Sequence, residues 1–176
     1  LLSDAVAYGR NSAVHMDIGV TADWSRDSGK MVVADTFWGS RAWDIKTGEA
    51  ITPVMNIGYP ASEVAWQPNG TFIATQSGDR WWQPTVPNVY LWDLANPQVD
   101  NYPLIIPSVD FVADIEWSPD GKTLAVAEQS RFIRFWSPDE PEVIITADLW
   151  SMRNTPGIDY SNMINDIQWS ADSRIL

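Results

Sequence analysis

The stretch at residues 114–138, DIEWSPDGKTLAVAEQSRFIRFWSP, decides the fold. It alternates at Ile115 and Trp117, turns at Ser118-Pro119-Asp120-Gly121, alternates through Leu124 and Val126, turns at Glu128-Gln129-Ser130-Arg131, and alternates through Ile133 and Phe135. A period of two broken by turn residues predicts three antiparallel strands. In the first turn Pro119 presets φ and Asp120 tolerates the next position. Gly121 takes the left-handed site that closes a tight hairpin without steric cost.

Fragments of this unit recur. WSRDSG, WQPNG, WSPDG and WSADS bring Trp24, Trp66, Trp117 and Trp169 into register, at spacings of 42, 51 and 52 residues. A second tryptophan closes the third strand in three copies, as Trp43-Asp44, Trp92-Asp93 and Trp136-Ser137, lying 19, 26 and 19 residues after the first. A period of about 45 residues with four short strands per copy means propeller blades.

On these motifs the chain resembles the WD-repeat β-propellers, with a W-S-P-D-G turn shared with TolB-like propellers. The resemblance covers nearly all of the 176 residues. It implies an all-β fold and a role in holding partner proteins together. In that family the third-strand Trp joins a hydrogen-bonded set with a His, a Ser or Thr and an Asp. The matching His positions here hold Ile57, Ser108 and Tyr160, so most of that set is absent. The repeat tryptophans, Asp44 and Asp93 therefore read as structural, filling the wedge between blades and closing turns.

Residues 1–176 are expected to form a partial β-propeller: an incomplete blade at 1–19, blades at 20–61, 62–111 and 112–163, and an incomplete blade at 164–176. Rings close with about four to eight blades, so an arc of a larger ring is expected, with edge strands that seek pairing. Trp24 follows Met16 by only eight positions. Either that blade is degenerate or a segment is missing, or His15 stands where the family often has a Gly-His pair. The blade at 20–61 is the most regular, with later strands at 31–34, 41–45 and 50–55. Residues 164–176 read as a first strand, a turn with Ser173 in place of glycine, and the start of a second strand.

Composition narrows the function. There are 23 acidic and 11 basic residues, a net charge of -12, which repels phosphate backbones and anionic lipid surfaces. Nucleic-acid binding is disfavoured. No run of about 18 apolar residues marks a membrane span. Cysteine is absent and His15 is the single histidine, which excludes thiolate metal sites, cysteine nucleophiles and histidine-rich metal sites. No cofactor is called for. No carboxylate pair is marked out for acid-base catalysis, so the chain is not read as an enzyme.

Two groups are candidate partner-binding residues. Glu63, Asp114 and Asp166 each stand three residues before a register Trp, so equivalent blades would present them on one partial ring; Thr21 breaks the series. Such a ring could bind a cation or a basic peptide, or simply accept backbone hydrogen bonds. Trp81 and Trp82 lie in an insertion at 77–87, stiffened by Pro84 and Pro87. One ring is expected to pack inward and the other to be exposed as a contact. The reading is a non-enzymatic interaction scaffold or assembly subunit, with protein partners, basic peptides among them, and further blades. The alternative is a surface or secreted module that recognises a glycan or peptide through exposed tryptophans.

Overall fold

A computed structural model describes residues 20–35, 39–56, 61–68, 70–77, 88–95, 104–108, 110–129, 131–141, 144–148 and 164–176. The chain is all-β, and no helix occurs among these residues. Three antiparallel sheets follow in chain order. The first holds β1 (Val20–Trp24), β2 (Lys30–Asp35) and β3 (Gly39–Asp44). The second holds β4 (Ala61–Trp66), β5 (Phe72–Ser77), β6 (Asn88–Asp93) and β7 (Leu104–Pro107), and the third β8 (Val112–Trp117), β9 (Leu124–Glu128), β10 (Phe132–Trp136) and β11 (Ile144–Asp148). Each strand pairs with the next, the meander expected of a propeller blade.

The same turn launches every copy. Four residues after each register Trp the backbone is left-handed, at Ser28 (φ 56°), Gly70 (φ 78°), Gly121 (φ 71°) and Ser173 (φ 60°). Each of these residues donates its N–H to the carbonyl three residues back, at 2.8, 2.8, 2.7 and 2.9 Å. This is a four-residue turn closed by a left-handed residue. The conformation disfavours a Cβ, so the two serines need support from their turns. Ser25, Ser118 and Ser170 donate Oγ–H to Asp27, Asp120 and Asp172 at 2.7, 2.7 and 2.8 Å. These serine hydroxyls hold the Asp27 and Asp120 carboxyls below their ordinary range. In the blade-one turn the left-handed position falls on Ser28, and the glycine of WSRDSG comes one residue later.

Two expectations need correction. The fourth strand at 50–55 is reduced to two isolated bridges, Trp43 with Ala50 and Ser40 with Met55. Thr52 takes over between them: its Oγ1 accepts the Ala42 N–H at 3.0 Å, where a strand carbonyl would sit. Residues 164–170 join no strand ladder either. Side chains of β8 carry them instead, with Asp114 accepting the Ile167 N–H and Glu116 that of Trp169.

Strand alternation sorts the blade faces. One face of β4, with Val64 and Trp66, packs on Val32, Ala34 and Ala42 of the first sheet. The opposite face, with Ala65, Ala74, Leu91 and Ile106, packs on Ile115, Trp117, Leu124, Val126 and Trp136 of the third. The apolar core therefore lies between blades, and β1, β4 and β8 adjoin along the inner side.

Candidate functional site: an acidic inner groove

β4 and β8 each carry a register shift near the start, between Ala61 and Glu63 and between Val112 and Asp114. A bulge adds one residue and re-aims the side chains beyond it. Past the shift, Glu63 and Ala65 share one side of β4, while Asp114 and Glu116 share the matching side of β8. Thr21 and Asp23 hold the equivalent positions in β1.

The carboxylates meet across blades. The Asp114 carboxyl accepts the Ile167 N–H at 3.0 Å through Oδ2 and the Ile115 N–H at 2.8 Å through Oδ1. Burial pushes Asp114 up from its ordinary value, the Ile167 N–H opposes this, and a hydrogen bond and charge from Asp166 push it up further. Glu63 is pushed up to about 7, first by burial and then by the charges of Asp114 and Asp166. Glu116 is also raised, by burial foremost; the Trp169 N–H opposes this, and the charges of Asp114, Asp166 and Asp23 add to it. Glu63, Asp114 and Asp166 therefore share one electrostatic neighbourhood.

Asp23 and Glu116 escaped the sequence reading. Asp23 Oδ2 accepts the backbone N–H of Trp66 at 2.6 Å, and Glu116 Oε2 accepts that of Trp169 at 2.7 Å. The Trp169 indole donates to the Glu116 carbonyl at 3.2 Å. The acid immediately before a register Trp thus clasps the register Trp of the next blade. At the middle junction Ala65 cannot do this, and Gln67 Nε2 donates to the Gly121 carbonyl at 2.7 Å. Acidic residues in the dipeptides Asp23-Trp24 and Glu116-Trp117 were the available signal.

Among the described residues the ion pairs are Arg131–Asp148 and Arg134–Glu128, neither of which includes a groove carboxylate. Among the described residues no three Asp, Glu or His side chains are placed to hold a metal ion. Trp92 Nε1 donates to Thr75 Oγ1 at 2.9 Å. Asp44 and Asp93 accept turn N–H groups, at 2.9 Å from Lys46 and Thr47 and 2.8 Å from Ala95. Trp81, Trp82, Ile57 and Tyr160 lie outside the described residues.

The Glu63 shift gives stability a sign. Between its ordinary value of 4.5 and about 7, the folded chain holds a proton that the unfolded chain has released. Stability therefore falls as pH rises through this window. The full shift would be worth about 3.4 kcal/mol; screening of this half-exposed carboxylate reduces it to roughly 1–2 kcal/mol. Glu63→Gln is expected to raise stability by that amount at pH 8 and to leave it nearly unchanged at pH 4. Urea unfolding at both pH values checks this, and equal effects at the two would refute it.

No family model matches the chain. It is 29% identical over 118 residues to the periodic tryptophan protein 2 homolog of Neurospora crassa, covering 65% of this chain and 12% of that protein. It is 28% identical over 98 residues to the homolog of Schizosaccharomyces pombe, covering 56% and 10%. The chain thus spans about a tenth of the length of these relatives. A tryptophan period is also what aligns Trp24, Trp66, Trp117 and Trp169, and the chain is similar, at a distance, to periodic tryptophan proteins of the WD-repeat kind.

Proposed function

We propose that the chain is a non-enzymatic interaction module whose inner groove takes a basic segment of a partner protein. The observation that carries this is the gathering of Glu63, Asp114 and Asp166 in one neighbourhood, where, beyond burial, the charges of Asp114 and Asp166 push Glu63 up and that of Asp166 pushes Asp114 up. A cationic segment would relieve that repulsion and draw the retained protons off. Binding should therefore release protons near pH 7 and weaken as salt rises. The distant likeness to proteins of the WD-repeat kind supports a role in assembly.

Titration of the chain with a lysine- and arginine-rich peptide, by calorimetry in two buffers of different ionisation enthalpy, tests the reading. The triple variant Glu63→Gln, Asp114→Asn, Asp166→Asn is expected to bind about tenfold or more weakly, with a flatter salt dependence. Affinity unchanged in that variant would sink the proposal.

A further inference from the structure

The first and second blades meet differently from the second and third. At the latter junction Gln67, the residue after a register Trp, reaches across, and its Nε2 donates at 2.7 Å to the carbonyl of Gly121, the left-handed residue of the next turn. Ser25 stands at the same position in the first blade. Its hydroxyl is spent within its own turn, donating to Asp27 at 2.7 Å and accepting the Lys30 N–H at 2.9 Å. Gly70, the counterpart of Gly121, is left lining a cleft of about 820 Å³ between the two blades. A Cβ built on Gly70 would meet no atom within 4 Å. The volume is in the range of ligand sites.

A second departure from the repeat opens on the same cleft. The first blade has two isolated bridges in place of a fourth strand, and Thr52 turns inward to the Ala42 N–H. Its neighbour Ile51 is 37% exposed and lines the cleft, where Pro68 and Leu94 of the second blade add to the apolar wall.

An apolar wall alone does not name its occupant; the charges of the lining do. The cleft holds two cations, Arg26 and Lys30, against one anion, Asp27, in a chain whose net charge is -12. Among the described residues neither cation belongs to an ion pair. The acids near them are engaged elsewhere: Asp27 accepts the Ser25 hydroxyl and the Gly29 N–H, and Asp44, paired with Lys30 across the sheet, accepts the N–H groups of Lys46 and Thr47.

We propose that this cleft takes a short acidic and apolar segment of a partner protein. A leucine-like side chain lies against Ile51, Pro68 and Leu94, and a neighbouring Asp or Glu carboxylate sits between Arg26 and Lys30. Charge-assisted hydrogen bonds to a carboxylate are the stronger kind, and apolar burial beside them supplies affinity. A backbone N–H of the segment donates to the Gly70 carbonyl, as the Gln67 amide does to Gly121. The sign is opposite to that of the inner groove, and the inference does not depend on the groove reading.

The test titrates the intact chain with the peptide acetyl-Gly-Leu-Glu-Leu-Asp-Gly-amide, reading the Gly70 amide and Ile51 methyl signals by NMR. Two counterparts carry serine for leucine, or glutamine and asparagine for the acids. The parent peptide is expected to shift both signals, and each counterpart to bind about tenfold or more weakly. Ser25→Gln should close the cleft with the bridge that Gln67 makes. Gln67 also accepts the N–H groups of Thr71 and Phe72 in its own turn, so glutamine can serve this turn as well. Binding should fall about tenfold or more in that variant, and should be unchanged in Glu63→Gln. If Ser25→Gln does not fold, the double variant Arg26→Gln, Lys30→Gln carries the test, with a loss of about tenfold. Unchanged affinity in both of these variants, equal binding of the peptide without acids, or no binding of the parent peptide would overturn the inference. So would Gly70 and Ile51 signals that move with chain concentration alone, which would place a second copy in the cleft.

Discussion

Trp117→Ala is expected to cost about 3–5 kcal/mol of stability, whereas Trp24→Ala, at the same register position, should change it by no more than about 0.5 kcal/mol. Trp117 is 4% exposed and wedged between the second and third blades, with its ring edge-on to Trp136 at 6.1 Å. Trp24 is 50% exposed. Trp117→Phe is a useful control. Because the Trp117 indole N–H has no acceptor among the described residues, phenylalanine loses ring volume but no hydrogen bond to them, and should cost much less than alanine. Urea unfolding of the three variants reads all of this. Equal losses at positions 24 and 117 would mean that the register tryptophan does not wedge blades apart by position.

How far the sequence reached can be seen in particular residues. The three-strand reading of 114–138 is realised as β8, β9 and β10, because a period of two and a turn around Gly121 leave few other solutions. Glu63, Asp114 and Asp166 could be placed near one another because each is counted from a register Trp, which fixes its height along the first strand. The clasps made by Asp23 and Glu116 were not legible in the same way. Their partners are 43 and 53 residues away, and the contact depends on how one blade seats on the next. The bulges at the start of β4 and β8 were hidden for a related reason: an extra residue disturbs pairing without disturbing composition. The lost fourth strand of the first blade shows a local override. Thr52 is a good strand residue, yet its hydroxyl captures the Ala42 N–H that the ladder would have used.

Arg134→Ala is expected to cost about 3–5 kcal/mol, because it removes the cation that faces a fully buried carboxylate. Glu128 is fully buried, and its Oε1 lies 2.6 Å from Arg134 Nε. Register explains the meeting. Arg134 pairs with Val126, and Glu128 lies two residues further along β9 on the same side, so the side chains meet on the diagonal. That side also carries Leu124, Val126 and Trp136, the face packed against the second blade. The charge pair thus sits at the rim of an otherwise apolar junction. Replacing the pair together, as Glu128→Leu with Arg134→Met, should recover most of the loss, since well-packed apolar residues are often no worse than a buried pair. The double-mutant cycle, measured by urea unfolding, separates the two cases. A loss under about 1 kcal/mol for Arg134→Ala would show that the carboxylate draws its compensation from elsewhere. A double variant as unstable as the single one would show that the junction needs the charges themselves, to fix how the third blade seats against the second and hence how Asp114 and Glu116 face Glu63.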